Sequence, residues 1–240
     1  MKPFFTNKQD KAMPILEHLQ ELRFRILIAF VIFILITFIC FLYNQQITLF
    51  IQKPAQGIKF LQLAPGEYLF ASIKLSIYLG VIISSPFTIY QIILFILPAL
   101  TYKEQKYLIP LLIISIILFY LGLFFSYKIL TPAALNFFIN YGSNIIEPIW
   151  SFDEYLNFIS LLLLSTALAF QIPIIQIILG YLNILSSTQM LYYWKYMLFF
   201  STIISAILTP STDPITQIAM TCAILSLYLS SIIFLKILNK

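Results

Sequence analysis

Long uncharged apolar runs alternate with short polar segments along the whole chain. The first run follows Arg25 and reads ILIAFVIFILITFICFLY. At 1.5 Å per helical residue, such a run reaches across about 30 Å of hydrocarbon. The pattern predicts six spans, at about Phe24–Tyr43, Tyr68–Leu97, Tyr107–Leu130, Glu154–Leu182, Trp194–Thr209 and Ile215–Leu235. The second is over-long, with an interruption expected at Pro86. Pro110 is expected in the first turn of the third, where its missing N–H costs nothing. Pro173 is expected to kink the fourth. The fifth is short, and the sixth is broken up by Thr216, Gln217, Thr221, Ser226, Ser230 and Ser231. Two longer loops, about Asn44–Glu67 and Thr131–Asp153, hold Pro54, Pro65, Pro132 and Pro148 among apolar residues. They are expected to form short interfacial helices that cap the spans. No internal repeat relates the two halves. The fold class is an all-α membrane protein with one membrane domain over 1–240, in which 1–23 forms an amphipathic N-terminal segment.

Composition supports the same reading. The chain is 61% hydrophobic and 10% charged, against about 25% charged residues in soluble domains, and its mean hydropathy is +0.96. A water-soluble fold has nowhere to put this much apolar surface. The first 13 residues are polar and the first apolar run is too long for the core of a cleavable signal. The two cysteines, Cys40 and Cys222, lie inside apolar runs and, with a single His, are too few for a structural zinc site. Heavy use of Ile, Phe, Asn, Lys and Tyr with only 6 Gly suggests an AT-rich genome, such as that of an organelle or some bacteria.

The net charge of +5 acquires meaning from where the positives sit. An even span count puts both termini on one side. Lys2, Lys8, Lys11, Arg23, Arg25, Lys103, Lys106, Lys195, Lys236 and Lys240 fall on that side, and Lys53, Lys59 and Lys128 on the other, with Lys74 inside or near span two. The positive-inside bias then places both termini in the cytoplasm, or in the stroma of a plastid.

The rare charges are unevenly spread. ILEHLQELRFRIL, Ile15–Leu27, holds the one histidine, two of nine carboxylates and both arginines. Leu16, Leu19, Leu22 and Ile26 give it one apolar face. Glu17 and Glu21 stand one turn apart, and Arg25 continues the row where it can compensate Glu21. His18 and Glu21 share the i, i+3 spacing of paired metal ligands, but no second histidine exists to complete a site, so no metal is expected. The loop FILPALTYKEQKYLIP, on the same side, sets Glu104 between Lys103 and Lys106 after Pro98. Two carboxylates beside a membrane can grip a cationic peptide, and an arginine fork fits a carboxylate as a lysine does not. Within the spans, Gln91 near the inner end of span two and Gln171 near the middle of span four are polar points. Each serves either helix–helix hydrogen bonding or a groove that receives another helix. The chain lacks a P-loop, an H-E-x-x-H and a G-x-S-x-G, so neither nucleotide binding nor intramembrane hydrolysis is expected.

Together these stretches resemble the TatC family, the polytopic core of the twin-arginine protein translocase. HLQELRFRIL is similar to its H-L-x-E-L-R-x-R signature. SPFTIYQIILFILPALTYKEQKYLIP resembles its second span and first inner loop, and LFYLGLFFSYKILTPAALNFF its third span. AFQIPIIQIILGYLNIL resembles span four and ILTPSTDPITQ the outer turn between spans five and six. PGEYLF resembles a P-x-E-x-F motif, with one extra residue. The resemblance runs colinearly from about Met13 to Leu235.

What the resemblance implies is a six-helix, glove-shaped bundle that binds twin-arginine signal peptides of folded cargo proteins at its inner face. It is no enzyme, needs no cofactor and contacts no nucleic acid. The signal-peptide site would comprise Glu21 and Glu104, with Arg23, Phe95 and Pro98 beside them. Gln91 and Gln171 would line the concave groove, Gln171 standing where some members carry a glutamate. Thr209 and Gln217 match a polar site where the single-span partners TatA and TatB dock. Pro54 and Asp213 match outer-side positions of structural importance. The resemblance implies an oligomeric receptor complex in a lipid bilayer, here a plastid thylakoid membrane, with a bacterial plasma membrane as the alternative. A small multi-pass ion or solute transporter is the rival reading. It would call for internal repeats and charges at mid-depth.

Overall fold

A computed structural model describes residues 15–55, 58–96, 102–141, 149–181, 184–209 and 213–237, without the side chains of 15–17, 96 and 102–109. Helix α1, Ile15–Leu42, is a single 28-residue helix. The charged stretch therefore forms the first turns of the first span and is not a separate amphipathic helix. The part of the expected 1–23 segment before Ile15 lies outside the described residues. After α1 come α2, Asn44–Gln52, and a 3-10 turn, Lys53–Ala55, which holds Pro54 half-buried. The next elements are β1, Lys59–Leu61, and α3, Glu67–Ile96.

Pro86 does not interrupt α3, which runs through it. A proline inside a helix leaves the carbonyl four residues earlier without its N–H partner. Here the hydroxyl of Ser85 donates to that carbonyl, Ile82 O, at 2.7 Å. This local substitution is what lets proline persist inside membrane helices.

Helix α4, Tyr102–Phe125, begins earlier than the sequence suggested, so Pro110 lies inside it and not in its first turn. It continues through a π-helical turn, Ser126–Leu130, into α5, Thr131–Tyr141. The buried Ser126 hydroxyl donates across to Leu162 O at 3.1 Å. Beyond the 142–148 segment come β2, Ile149–Ser151, and α6, Phe152–Ala169. The fourth span then breaks at Phe170–Gln171 and resumes as α7, Ile172–Tyr181, with Pro173 in its first turn. Among the described residues, three helices follow: α8, Ser187–Tyr192, α9, Trp194–Leu208, and α10, Pro214–Ile237.

Among the described residues, five helical stretches are long and apolar enough to cross a membrane, and Trp194–Leu208 is a shorter apolar helix. Fifteen residues of α9 span only about 22 Å. Helix α1 packs chiefly on α3, α3 and α4 both pack on α6, and α10 packs on α7 and α9. The outward faces carry Phe24, Phe30, Phe38, Phe70, Phe124 and Phe199. In water such a surface would drive aggregation, and in lipid it is the solvated surface.

One core cluster gathers Ile51, Leu75, Phe119, Leu135, Tyr155 and Ile159 near the loops that follow α1 and α5. There the interfacial helices expected from the sequence appear as α2 and α5. Tyr155 OH donates to Ile51 O at 2.7 Å and Tyr127 OH to Phe50 O at 2.8 Å, fastening α2 onto the bundle. The same end carries a parallel bridge of β1 and β2, pairing Lys59 with Ile149 and Leu61 with Ser151. Gly66 adopts φ +82° before α3, a left-handed turn that favours glycine. This turn brings the Glu67 carboxylate onto Leu63 N, Ala64 N, Ser151 Oγ and Asp153 N. Lys74, placed only loosely by the sequence, bonds both carboxylate oxygens of Asp153 at 2.8 and 3.0 Å.

Candidate functional site

At the opposite end, the start of α1 meets the end of α3. Antiparallel packing brings residues from the early turns of one helix beside the last turns of the other. The His18 ring stacks on Phe95 with centroids 4.3 Å apart and planes 15° from parallel. One turn along α1, Arg25 donates from Nε to Glu21 Oε1 at 3.0 Å, and its Nη2 forms an ion pair with the same oxygen. Arg25 Nη1 reaches across to α3 and donates to Gln91 Oε1 at 3.2 Å. Gln91 is 8% exposed, while the Glu21 and Arg25 side chains are 22% and 20% exposed. The network is therefore partly desolvated, where charge-assisted hydrogen bonds gain strength.

The spacing explains which arginine takes part. Residues at i and i+4 lie on one helix face and residues at i and i+2 do not. Arg25 stands one turn from Glu21, and Arg23 points elsewhere as an exposed side chain. The structure thus joins Glu21, Gln91 and Phe95 into one site with His18 and Arg25, and leaves Arg23 outside the network. Glu104 lies on the first turn of α4. Because α4 begins six residues after α3 ends, it starts at the Glu21 end of the bundle. The side chain of Glu104 and the whole of Pro98 lie outside the described residues.

Gln171 sits at the break between α6 and α7. Its amide is reciprocally bonded to α4: Ser115 Oγ donates to Gln171 Oε1 at 2.6 Å, and Gln171 Nε2 donates to Ser115 O at 3.1 Å. A second amide, Gln176, is buried and accepts from the Ser231 hydroxyl of α10. Sequence reasoning missed it, because a lone Gln inside IPIIQIILG gives no hint of the partner helix that meets it.

Just after α9, Thr209 is buried and its hydroxyl donates back to Ser205 O at 2.8 Å. The backbone carbonyl of Gln217 accepts from Ser205 Oγ at 2.7 Å and Thr221 Oγ1 at 2.8 Å. The Gln217 side chain is half-exposed and makes no hydrogen bond among the described residues. Asp213, fully buried, caps α10 by accepting from Thr216 N at 2.9 Å.

Fold and site define a multi-pass helical membrane protein whose charged groups gather at the two ends of the bundle. The chain matches the family described as Sec-independent protein translocase protein (TatC) over residues 17–222. An uncharacterised TatC-like protein of Gracilaria tenuistipitata var. liui is 65% identical over 228 residues, covering 95% of this chain and 96% of that one. The Sec-independent protein translocase protein TatC of Synechocystis sp. is 46% identical, covering 96% and 91%. A crystal structure titled as the twin-arginine translocase receptor TatC superimposes with a TM-score of 0.79 at 33% identity, over 93% of this chain and all of that one. The chain belongs to the TatC family. It is accordingly a membrane-embedded component of a protein translocase, a transport protein and not an enzyme, and the solute-transporter reading falls.

Proposed function

We propose that the protein is the receptor and core subunit of a twin-arginine translocation system. It binds twin-arginine signal peptides of folded cargo at the Glu21 end and works with TatA- and TatB-type single-span subunits. The observation that carries this reading is the Glu21 carboxylate: a partly desolvated acceptor at a helix end that already accommodates a guanidinium. Glu104 supplies the second carboxylate from the adjoining start of α4, with Phe95, Pro98 and Arg23 around it. The apolar stretch of the peptide then follows the groove past Gln91 and toward Gln171. The amide of Gln217, unpaired among the described residues and beside the buried Thr209, serves as the docking point for a partner helix, since an unpaired amide in lipid is costly. Pro54 and Asp213 hold the opposite end in shape. Both termini face the cytoplasm or stroma, following the lysine and arginine distribution. The relative of rice named as chloroplastic, 44% identical, supports a plastid location, and we place the protein in the thylakoid membrane.

The test is capture by the tagged, membrane-embedded protein of two signal peptides that differ only in Arg-Arg against Lys-Lys. Retention of the first and loss of the second is expected. Equal capture would overturn the reading.

A further inference from the structure

Glu21 has one oxygen to spare. Both contacts from Arg25, through Nε and Nη2, go to Oε1, and Oε2 accepts no hydrogen bond among the described residues. A guanidinium that comes to Oε2 therefore need not evict Arg25. One turn earlier on the same helix face stands His18, since residues at i and i+3 are neighbours. Its ring lies flat on Phe95, with centroids 4.3 Å apart and planes 15° from parallel. Such a stack covers one face of the ring and leaves the other. His18 is half-buried, and among the described residues its ring makes no other aromatic contact and no hydrogen bond. An imidazole held in place by Phe95, with one face unused, thus stands beside a carboxylate with one oxygen unused. We propose that His18 is a specificity-determining residue: its open face stacks on the guanidinium of a twin-arginine peptide while Glu21 accepts that guanidinium's hydrogen bonds.

Stacking of this kind presupposes the peptide-binding role given to Glu21. It separates arginine from lysine because the two cations differ in shape and hydration, not in charge. A guanidinium is planar, delocalised and weakly hydrated, so it can lie against an aromatic face and still donate in its own plane to a carboxylate. An ammonium is compact and strongly hydrated, and gains less from the same face. The gain is made by one peptide and largely missed by the other, so it does not cancel from the ratio of their affinities. A cation on an aromatic face at a partly exposed site changes an affinity about two- to fivefold. Edge and face are different parts of the same guanidinium, so Glu21 and His18 read it together without competing for it. Arg23, exposed and outside the network, has no such role.

The experiment titrates Arg-Arg and Lys-Lys signal peptides onto purified protein carrying His18→Leu or His18→Phe and reads the ratio of the two Kd values. Leucine keeps an apolar side chain against Phe95 but has no aromatic face, and phenylalanine restores the face. The ratio is expected to contract about two- to fivefold in His18→Leu, through weaker Arg-Arg binding with Lys-Lys binding little changed. His18→Phe should restore the parent ratio. A parent-like ratio in His18→Leu, or equal contraction in both variants, would show that no aromatic face at this position reads the arginine and would overturn the inference. Glu21→Gln separates the two levels. If it weakens Arg-Arg binding while the His18 variants leave the ratio unchanged, this inference alone fails. If it binds both peptides like the parent, the reading of Glu21 fails and takes the inference with it.

Discussion

Removing the Asp213 carboxylate should unfasten the start of α10. In DPIT, Asp213 is the capping residue, Pro214 takes the first helical position and Thr216 the third. Proline suits the first position because its missing N–H has no intrahelical partner anyway. The Asp213 side chain accepts from Thr216 N at 2.9 Å, its carbonyl accepts from Gln217 N at 3.3 Å, and both Asp213 and Thr216 are fully buried. Loss of a cap costs about 0.5–2 kcal/mol. Water cannot reach this site to replace the acceptor, and a buried unsatisfied N–H costs about 1–3 kcal/mol. These are two views of the same lost bond to Thr216 N, so its loss alone should make Asp213→Ala cost at least about 1–3 kcal/mol. Asp213→Asn keeps a side-chain oxygen in place and should cost about 1 kcal/mol or less. The assay is denaturant unfolding of purified protein in detergent, with amide hydrogen exchange read at Thr216. Faster exchange at Thr216 in the alanine variant is the local signature. Unchanged exchange there, or equal destabilisation by Asn and Ala, would refute the capping argument.

Two further outcomes follow from helix packing. Ser85→Ala should destabilise by about 0.5–1.5 kcal/mol, the net worth of a typical intramolecular hydrogen bond, because Ile82 O then loses its donor. The same change beside Pro86→Ala should be nearly neutral, and a double-mutant cycle checks this. At Gly122 an added Cβ would lie 2.9 Å from Phe170 Cγ and 3.0 Å from Ala167 Cα. Gly122→Ala should therefore cost about 1–3 kcal/mol by overpacking α4 against α6, and a parent-like unfolding curve would contradict that packing.

Hydrophobic runs made most of the fold legible, because burial in lipid demands long uncharged helices and little else competes with that demand. Punctuation was harder. Pro173 marked a real break: α6 ends at Ala169, the chain turns at Phe170–Gln171, and α7 begins at Ile172. Pro86 marked none, because Ser85 supplies a donor. A three-residue parallel bridge between β1 and β2 leaves no periodic trace, and neither does the π-helical turn at Ser126–Leu130, which lies inside the third span. At the site, the i+4 spacing exposed the Glu21–Arg25 pair. Its link to Gln91 spans 66 residues, and the stack of His18 on Phe95 joins two helices whose facing registers only packing decides. Gln171 was legible as a polar point, but its partner Ser115 was one serine among many.

The central claim is that carboxylates at the Glu21 end read arginines. It is tested most directly by titrating Arg-Arg and Lys-Lys signal peptides onto the parent protein, Glu21→Gln and Glu104→Gln. Truncating one partner of a partly desolvated charge pair costs roughly 2–5 kcal/mol, and 1.4 kcal/mol is about tenfold in Kd. Each variant should weaken Arg-Arg binding about tenfold or more, with a smaller change for Lys-Lys and normal membrane insertion. Equal losses for both peptides would mean that the carboxylates supply only general attraction for positive charge, and would contradict the account.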